Sequence, residues 1–189
     1  SNVDTIAQDI TLQMGKPLSQ SKNEVKGTIH RAEICCSLAE DALKDISLPE
    51  KEGFQRFIRR ESLGVVLDIA AWNYPLLIAV NVVVPSILAG NAVTIKHSSL
   101  TPLCAIAFED AFKQAGAPDG LVTALIMDHN TTAKAIQSGL IHRLAFTGSV
   151  SGGRQVQTST SGQFIDVGLE LGGKDPAYIR EDANLETAV

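Results

Sequence analysis

An uncharged run from Ile69 to Ile95, bracketed by Asp68 and Lys96, constrains this chain more than any other feature. A stretch of that length and apolarity first suggests a membrane-spanning helix. Its punctuation argues against one. Pro75 biases Tyr74 away from the helical region, Pro85 interrupts the run, and Gly90-Asn91 joins a helix stop to a turn. No cluster of positive charge flanks it. The pattern predicts a strand over residues 63–69, a buried helix over about 76–89 and a second strand over 92–96. That is a βαβ unit covered on both faces, which accounts for the absence of charge. Asn73 and Lys96 then fall just beyond the carboxyl ends of two parallel strands, where open α/β sheets place their ligands.

The rest of the composition fits a globular protein. Charged residues make up 20% of the chain and apolar ones 44%, enough for a core. A net charge of −5 argues against a nucleic-acid surface. There is no amino-terminal signal pattern, and the three cysteines, Cys35, Cys36 and Cys104, suit a reducing compartment. A cytoplasmic protein with no membrane or nucleic-acid partner is expected. The four histidines show no metal-ligand spacing, so no metal site is expected.

Val3, Ile6, Ala7, Ile10 and Met14 fall at helical spacing, and Gly15 ends the pattern. Ser21-Lys22-Asn23-Glu24 reads as a capping box opening a second helix, with an apolar face of Val25, Ile29, Ala32, Cys36, Ala39 and Leu43. The charged stretch 51–60 carries Phe54, Phe57 and Ile58 without a helical period and reads as an exposed strand or arm, a partner-facing edge. Beyond Lys96, Thr101-Pro102 is an N-cap with proline at the first helical position. Strands are expected at 121–127, 141–147, 164–171 and 177–179. Helices are expected at 102–114, 131–137 and 150–158, with a last one capped by Asp182. This alternation predicts an α/β, Rossmann-like, doubly wound and mostly parallel sheet with helices on both faces.

Four groups lie at strand ends in this arrangement: Trp72-Asn73, Lys96 to Ser99, Thr147-Gly148-Ser149 with Gly153, and Glu170-Leu171-Gly172-Gly173-Lys174. Each alone is ordinary turn or cap chemistry; their joint placement on one rim is not. The usual G-x-G-x-x-G is missing after the first strand. The helix opening at Ser149 offers a substitute, because its free N–H groups and dipole suit a pyrophosphate and Gly148 and Gly153 permit close approach. Lys96 suits a ribose hydroxyl or a phosphate, Asn73 an oxyanion, and Glu170 general-base chemistry if desolvation raises its pKa.

At these residues the chain resembles the aldehyde dehydrogenase superfamily. The matching segments are Ala-Trp-Asn-Tyr-Pro, Gly-Asn-Ala-Val-Thr-Ile-Lys, Phe-Thr-Gly-Ser with a glycine four residues on, and Leu-Glu-Leu-Gly-Gly-Lys-Asp-Pro, in order and with similar gaps. Gln13-Met14-Gly15-Lys16-Pro17 is similar to the family's amino-terminal helix. The resemblance implies NAD- or NADP-dependent oxidation of an aldehyde to an acid through attack by a cysteine thiolate. By position it makes Asn73 the oxyanion-hole amide, Glu170 the general base, Lys96 the lysine on the adenine ribose and Ser149 the pyrophosphate contact. Thr147 and Gly148 lie near the nicotinamide, Trp72 lines the same cleft, and Leu171 and Gly172 follow the glutamate on its rim.

The departures carry expectations of their own. In the family the nucleophilic cysteine lies a few tens of residues past the glutamate, and this sequence reaches Val189 first. Residues 1–189 are therefore expected to be a partial NAD(P)-binding domain with an arm near 51–62. The catalytic domain would lie elsewhere, and the chain would be inactive on its own. A homo-oligomer is expected of the whole protein, and a truncated dinucleotide- or partner-binding module is the alternative. Ser99 stands where the family commonly has a glutamate on the ribose hydroxyls. A carboxylate repels a 2′-phosphate and a serine does not, so NADP is expected to be tolerated or preferred. Lys-His-x-Ser is similar to a subgroup that includes NADP-linked succinate-semialdehyde dehydrogenases. His97 itself is expected to be a packing or turn residue.

Overall fold

The computed structural model describes residues 2–188. It begins with helices α1 (Val3–Met14) and α2 (Leu18–Leu43), followed by a short antiparallel hairpin, β1 (Ile46–Ser47) and β2 (Phe57–Ile58). Five parallel strands then alternate with helices: β3 (Val65–Ala70), α3 (Pro75–Leu88), β4 (Ala92–His97), α4 (Pro102–Gln114), β5 (Val122–Ala124), α5 (His129–Gln137), β6 (Arg143–Gly148), α6 (Val150–Ser159) and β7 (Asp166–Leu171). A single helical turn, α7 (Leu185–Ala188), ends the described chain.

The strand order is β5-β4-β3-β6-β7. From β3 the chain winds outward through β4 and β5, then crosses back to β6 and winds the other way. The reversal opens a crevice between the carboxyl ends of β3 and β6. The expected α/β doubly wound sheet is thus the observed one, with every pairing in the five-stranded sheet parallel.

The uncharged run forms the unit its punctuation indicates. β3 and β4 pair from Val65↔Ala92 to Ala70↔His97, and α3 crosses between them with Pro85 on its exposed side. Gly90 stops α3 at φ +83°. Asn91, buried, then ties the unit together: its Oδ1 accepts from Leu63 and Gly64 N–H at 2.6 and 3.0 Å, and its Nδ2 donates to the Ser86 carbonyl at 3.1 Å.

Two cores sandwich the sheet. Val66, Ala70, Val93, Ile95 and Val122 pack against α1, α2, α3 and α4. Leu67, Ile69, Leu144 and Phe146 pack against Ile136 of α5 and Val156 of α6. No described helix is long and apolar enough to cross a membrane.

Three elements differ from expectation. Ser21 and Glu24 do not open α2, which starts at Leu18 after Pro17; both are buried within it. The packed line of α2 runs through Val25, Ala32 and Cys35, whereas Ile29 and Cys36 are exposed. The pattern failed there because two polar residues occupy the buried stripe. No strand forms at 177–179. The last turn is capped by Asn184, whose Oδ1 accepts from Glu186 N–H at 3.0 Å, and not by Asp182. The stretch 51–60 is an exposed hairpin arm held by Arg59 on Asp45 and Arg60 on the Lys44 carbonyl.

Candidate functional site

The crevice at the strand reversal is a groove of about 1040 Å³, large enough for an extended ligand. Four strand ends supply its walls. β3 delivers Ala71, Trp72 and Asn73, β4 delivers Lys96, Ser98 and Ser99, β6 delivers Thr147, Gly148 and Ser149, and β7 delivers Glu170, Leu171 and Gly172. Thr147 and Glu170 are register partners, as are Gly148 and Leu171. Past the strands, Gly172 turns at φ +65° and donates its N–H to the Gly148 carbonyl at 3.1 Å, fixing the two ends to each other.

Every site residue expected from the sequence lines this groove except Gly153. Gly153 is buried beneath Leu171. A Cβ there would stand 2.5 Å from a Leu171 methyl, so the glycine seats that side chain instead of facing a ligand. Gly152 takes the groove-facing place. Phe146 lies under this turn, its ring tip 2.8 Å from where a Cβ on Gly148 or Gly152 would sit. The turn from β6 into α6 is thin because both positions lack a side chain.

Ser149 caps α6, its Oγ accepting from Gly152 N–H at 3.1 Å. The first-turn N–H groups of α6 and the positive end of its dipole lie at this edge of the groove, which Ser149 and Gly152 line. Lys96 is 6% exposed, and burial lowers its pKa. It forms no ion pair with any described carboxylate, so its ammonium is available to a ligand's hydroxyls or phosphate. Its neighbour His97 points to the opposite face, among the α1–α4 helices, as alternation along a strand requires. Burial and the charge of Lys96 hold the His97 imidazole down at about 4. It is a packing residue.

Glu170 and Asn73 stand open to solvent on the rim. No cysteine lines the groove. Cys104 is buried in α4, where burial foremost pushes its thiol up to about 12, and Cys35 and Cys36 lie on α2.

The far end of the groove was only partly legible. His129 and Asn130 at the start of α5 line it together with Ala133, Arg154 and Gln155. Asp128 caps α5 through Thr131 N–H at 2.7 Å, and the resulting hydrogen bonds hold its carboxyl below the usual range. The missed signal was a helical one. His129 and Ala133 lie one turn apart on α5, and Gly152 and Gln155 likewise on α6, giving each helix a small or polar side toward the groove.

The sequence profile of the aldehyde dehydrogenase family matches residues 1–189. The chain belongs to the aldehyde dehydrogenase family. Among relatives of this family, 3,6-anhydro-alpha-L-galactose dehydrogenase of Streptomyces coelicolor is 36% identical over all 189 residues, which correspond to 38% of its length. Betaine aldehyde dehydrogenase of Brucella ovis is 39% identical over 140 residues, 74% of this chain and 29% of its own. The solved succinic semialdehyde dehydrogenase from Streptococcus pyogenes, in complex with NADP+ as the cofactor, superposes with a TM-score of 0.85 and 29% identity. That match covers 97% of this chain and 40% of the other. The aldehyde dehydrogenase chain described here thus spans about two fifths of the length of such relatives.

Proposed function

We propose that this chain is the NAD(P)-binding portion of an aldehyde dehydrogenase that oxidises an aldehyde to its carboxylic acid. The observation that carries the reading is the groove itself. Trp72, Asn73, Lys96, Ser149 and Glu170 arrive from four strands at one switch point. The donor set fits a dinucleotide. The α6 amino terminus with Ser149 binds pyrophosphate, Lys96 binds the ribose end, and the turn at Gly148 leaves room beside the nicotinamide. A dinucleotide held there would supply the hydride acceptor for the oxidation. Asn73 donates its amide N–H to the oxygen that becomes anionic during attack. Glu170 takes a proton from water once another part of the protein covers the rim.

NADP is the expected cofactor. Ser99 brings no negative charge near a 2′-phosphate, and Lys96 brings an unpaired positive one. An NADP-bound relative of this family supports the choice. The aldehyde in that relative's name, succinic semialdehyde, makes a short aldehyde acid the first candidate for this protein. The nucleophile is assigned outside these residues, because the groove has no cysteine and Cys104 is buried and protonated. On this reading the chain alone is expected to be inactive on aldehydes. The exposed hairpin carrying Phe54, Phe57 and Ile58 supports a homo-oligomeric whole protein, and three unpaired cysteines support a cytoplasmic one.

Titrating the purified chain with NADPH and NADH, with Trp72 emission as the signal, tests the cofactor assignment. NADPH is expected to bind at least as tightly as NADH; much tighter NADH binding would overturn the NADP preference, and binding of neither would overturn the reading. Incubation with succinate semialdehyde and NADP is expected to form no reduced cofactor. Turnover that disappears in Glu170→Ala would show the chain to be a complete catalyst.

A further inference from the structure

The turn presenting Trp72 and Asn73 is held by two residues far away in sequence. α3 begins at Pro75, which has no N–H, and its N-cap residue Tyr74 supplies no side-chain cap. The N–H groups of Leu76 and Leu77 therefore lack partners within the helix. Glu24 of α2 meets this need: its Oε1 accepts from Leu76 N–H at 3.0 Å and Leu77 N–H at 3.4 Å. Its Oε2 pairs with the Lys16 ammonium from the link between α1 and α2. Lys16 in turn covers Tyr74, with Nζ 3.8 Å from the ring centroid, a cation–π contact.

Glu24 is 3% exposed and Lys16 7%, so the ion pair is shielded from water, while the Tyr74 ring above it is half exposed. A buried ion pair is weak evidence for stability, because removing both charges from water offsets most of their attraction. Its geometry, though, is specific. One carboxylate oxygen fixes where α3 starts, and the other holds the cation that clamps the ring next to Asn73. Neither residue lines the groove.

We propose that Lys16 and Glu24 are positioning residues for the groove wall: they cap α3 from α2 and clamp Tyr74, and so set the direction in which Trp72 and Asn73 face the groove. The catalytic consequence rests on the reading of Asn73 as oxyanion donor; the positional one does not.

Trp72 is the only tryptophan, so its emission reports this turn alone. In the unmodified chain, amide exchange at Leu76 and Leu77 is expected to be at least about tenfold slower than at Ser151 in the first turn of α6. Glu24→Ala is expected to shift Trp72 emission and to weaken NADPH binding by about three- to tenfold, in line with a lost cap. Glu24→Gln keeps an acceptor for Leu76 and is expected to recover part of both. Tyr74→Phe, which keeps the ring, is expected to behave as the unmodified chain, and Tyr74→Leu to resemble Lys16→Met. A folded Glu24→Ala variant with unchanged emission and NADPH affinity would overturn the proposal. Should that variant not fold, fast exchange at Leu76 and Leu77, or unchanged Trp72 emission in Tyr74→Leu, overturns it instead. If the unmodified chain binds no NADPH while these exchange and emission effects stand, the cofactor assignment fails and the positioning role survives.

Discussion

On one face of the sheet, four helices bury Val66, Ala70, Val93 and Ile95 under a continuous apolar layer. On the other, α5 and α6 cover Leu67, Ile69 and Leu144, but the carboxyl rim stays open above Phe146. The first face has helices from before, within and after the βαβ unit. The second has only the two crossovers beyond the strand reversal. Apolar mass is concentrated where nothing needs to enter. The thinly covered face keeps glycines, hydroxyls and a free helix terminus at its edge, where a ligand can approach. Stability and binding are thereby divided between two sides of the same five strands.

The largest effects are expected from substitutions that probe this division. Ile10→Ala empties a site with no exposed surface on the thick face and should cost about 2–5 kcal/mol. It should leave NADPH affinity within about twofold, since couplings between separated sites are small. Phe146→Ala should cost about 3–5 kcal/mol and also weaken NADPH binding about tenfold or more, because its ring supports the turn at Gly148 and Gly152. Denaturant unfolding and NADPH titration of both variants decide the matter. Equal losses of affinity in the two would mean that the faces are not separable.

Much of this division is legible in the sequence, because it follows from periodicity and punctuation. The uncharged run, its proline and glycine breaks and the Thr-Gly-Ser turn locate β3, β4, β6 and α6 to within a residue or two. The groove residues are legible for the same reason: they sit at strand ends, and parallel strands share a rim. What was hidden are polar residues placed where the pattern expects apolar ones. Ser21 and Glu24 look like a cap but are buried in the middle of a helix, their partners being Thr11 and Lys16 on a neighbouring segment. Asp68 reads as the charged boundary of the run, yet it is 1% exposed. Gly153 reads as a ligand approach and is a seat for Leu171. In each case the deciding factor is tertiary burial.

The thick face also contains a titratable weakness. His97 is 4% exposed with both ring nitrogens unpartnered, and burial holds its pKa at about 4 in place of 6.5. The folded state therefore binds fewer protons at His97 than the unfolded state between these values. The stability this group contributes is complete above pH 6.5 and is lost as pH falls toward 4, by up to about 3 kcal/mol. Asp68, whose pKa burial raises well above the usual value, acts with the opposite sign. Its folded form holds a proton that the unfolded form releases, so its contribution is present at low pH and lost as pH rises. Thermal unfolding from pH 7 to 4 should thus show a shallower decline in His97→Gln than in the unmodified chain, and a steeper one in Asp68→Asn. Parallel curves for all three would place these groups in contact with solvent.

The smallest effect contrasts two hydroxyls at equivalent places, each just before a helix that follows a strand. Thr101 precedes α4 on the thick face; it is fully buried, makes no side-chain cap and leaves Oγ1 without a partner. Ser149 precedes α6 at the groove and caps Gly152. Sequence preference treats them alike, and the structure does not. Ser149→Ala should destabilise the fold by about 1 kcal/mol and weaken NADPH binding a few-fold. Thr101→Val replaces an unsatisfied buried hydroxyl with a methyl of similar shape, so it should be neutral or stabilising by up to about 1 kcal/mol, with binding unchanged. If Thr101→Val instead loses as much stability as Ser149→Ala, the Thr101 hydroxyl has a buried partner, and the thick face is more polar than its apolar lining indicates.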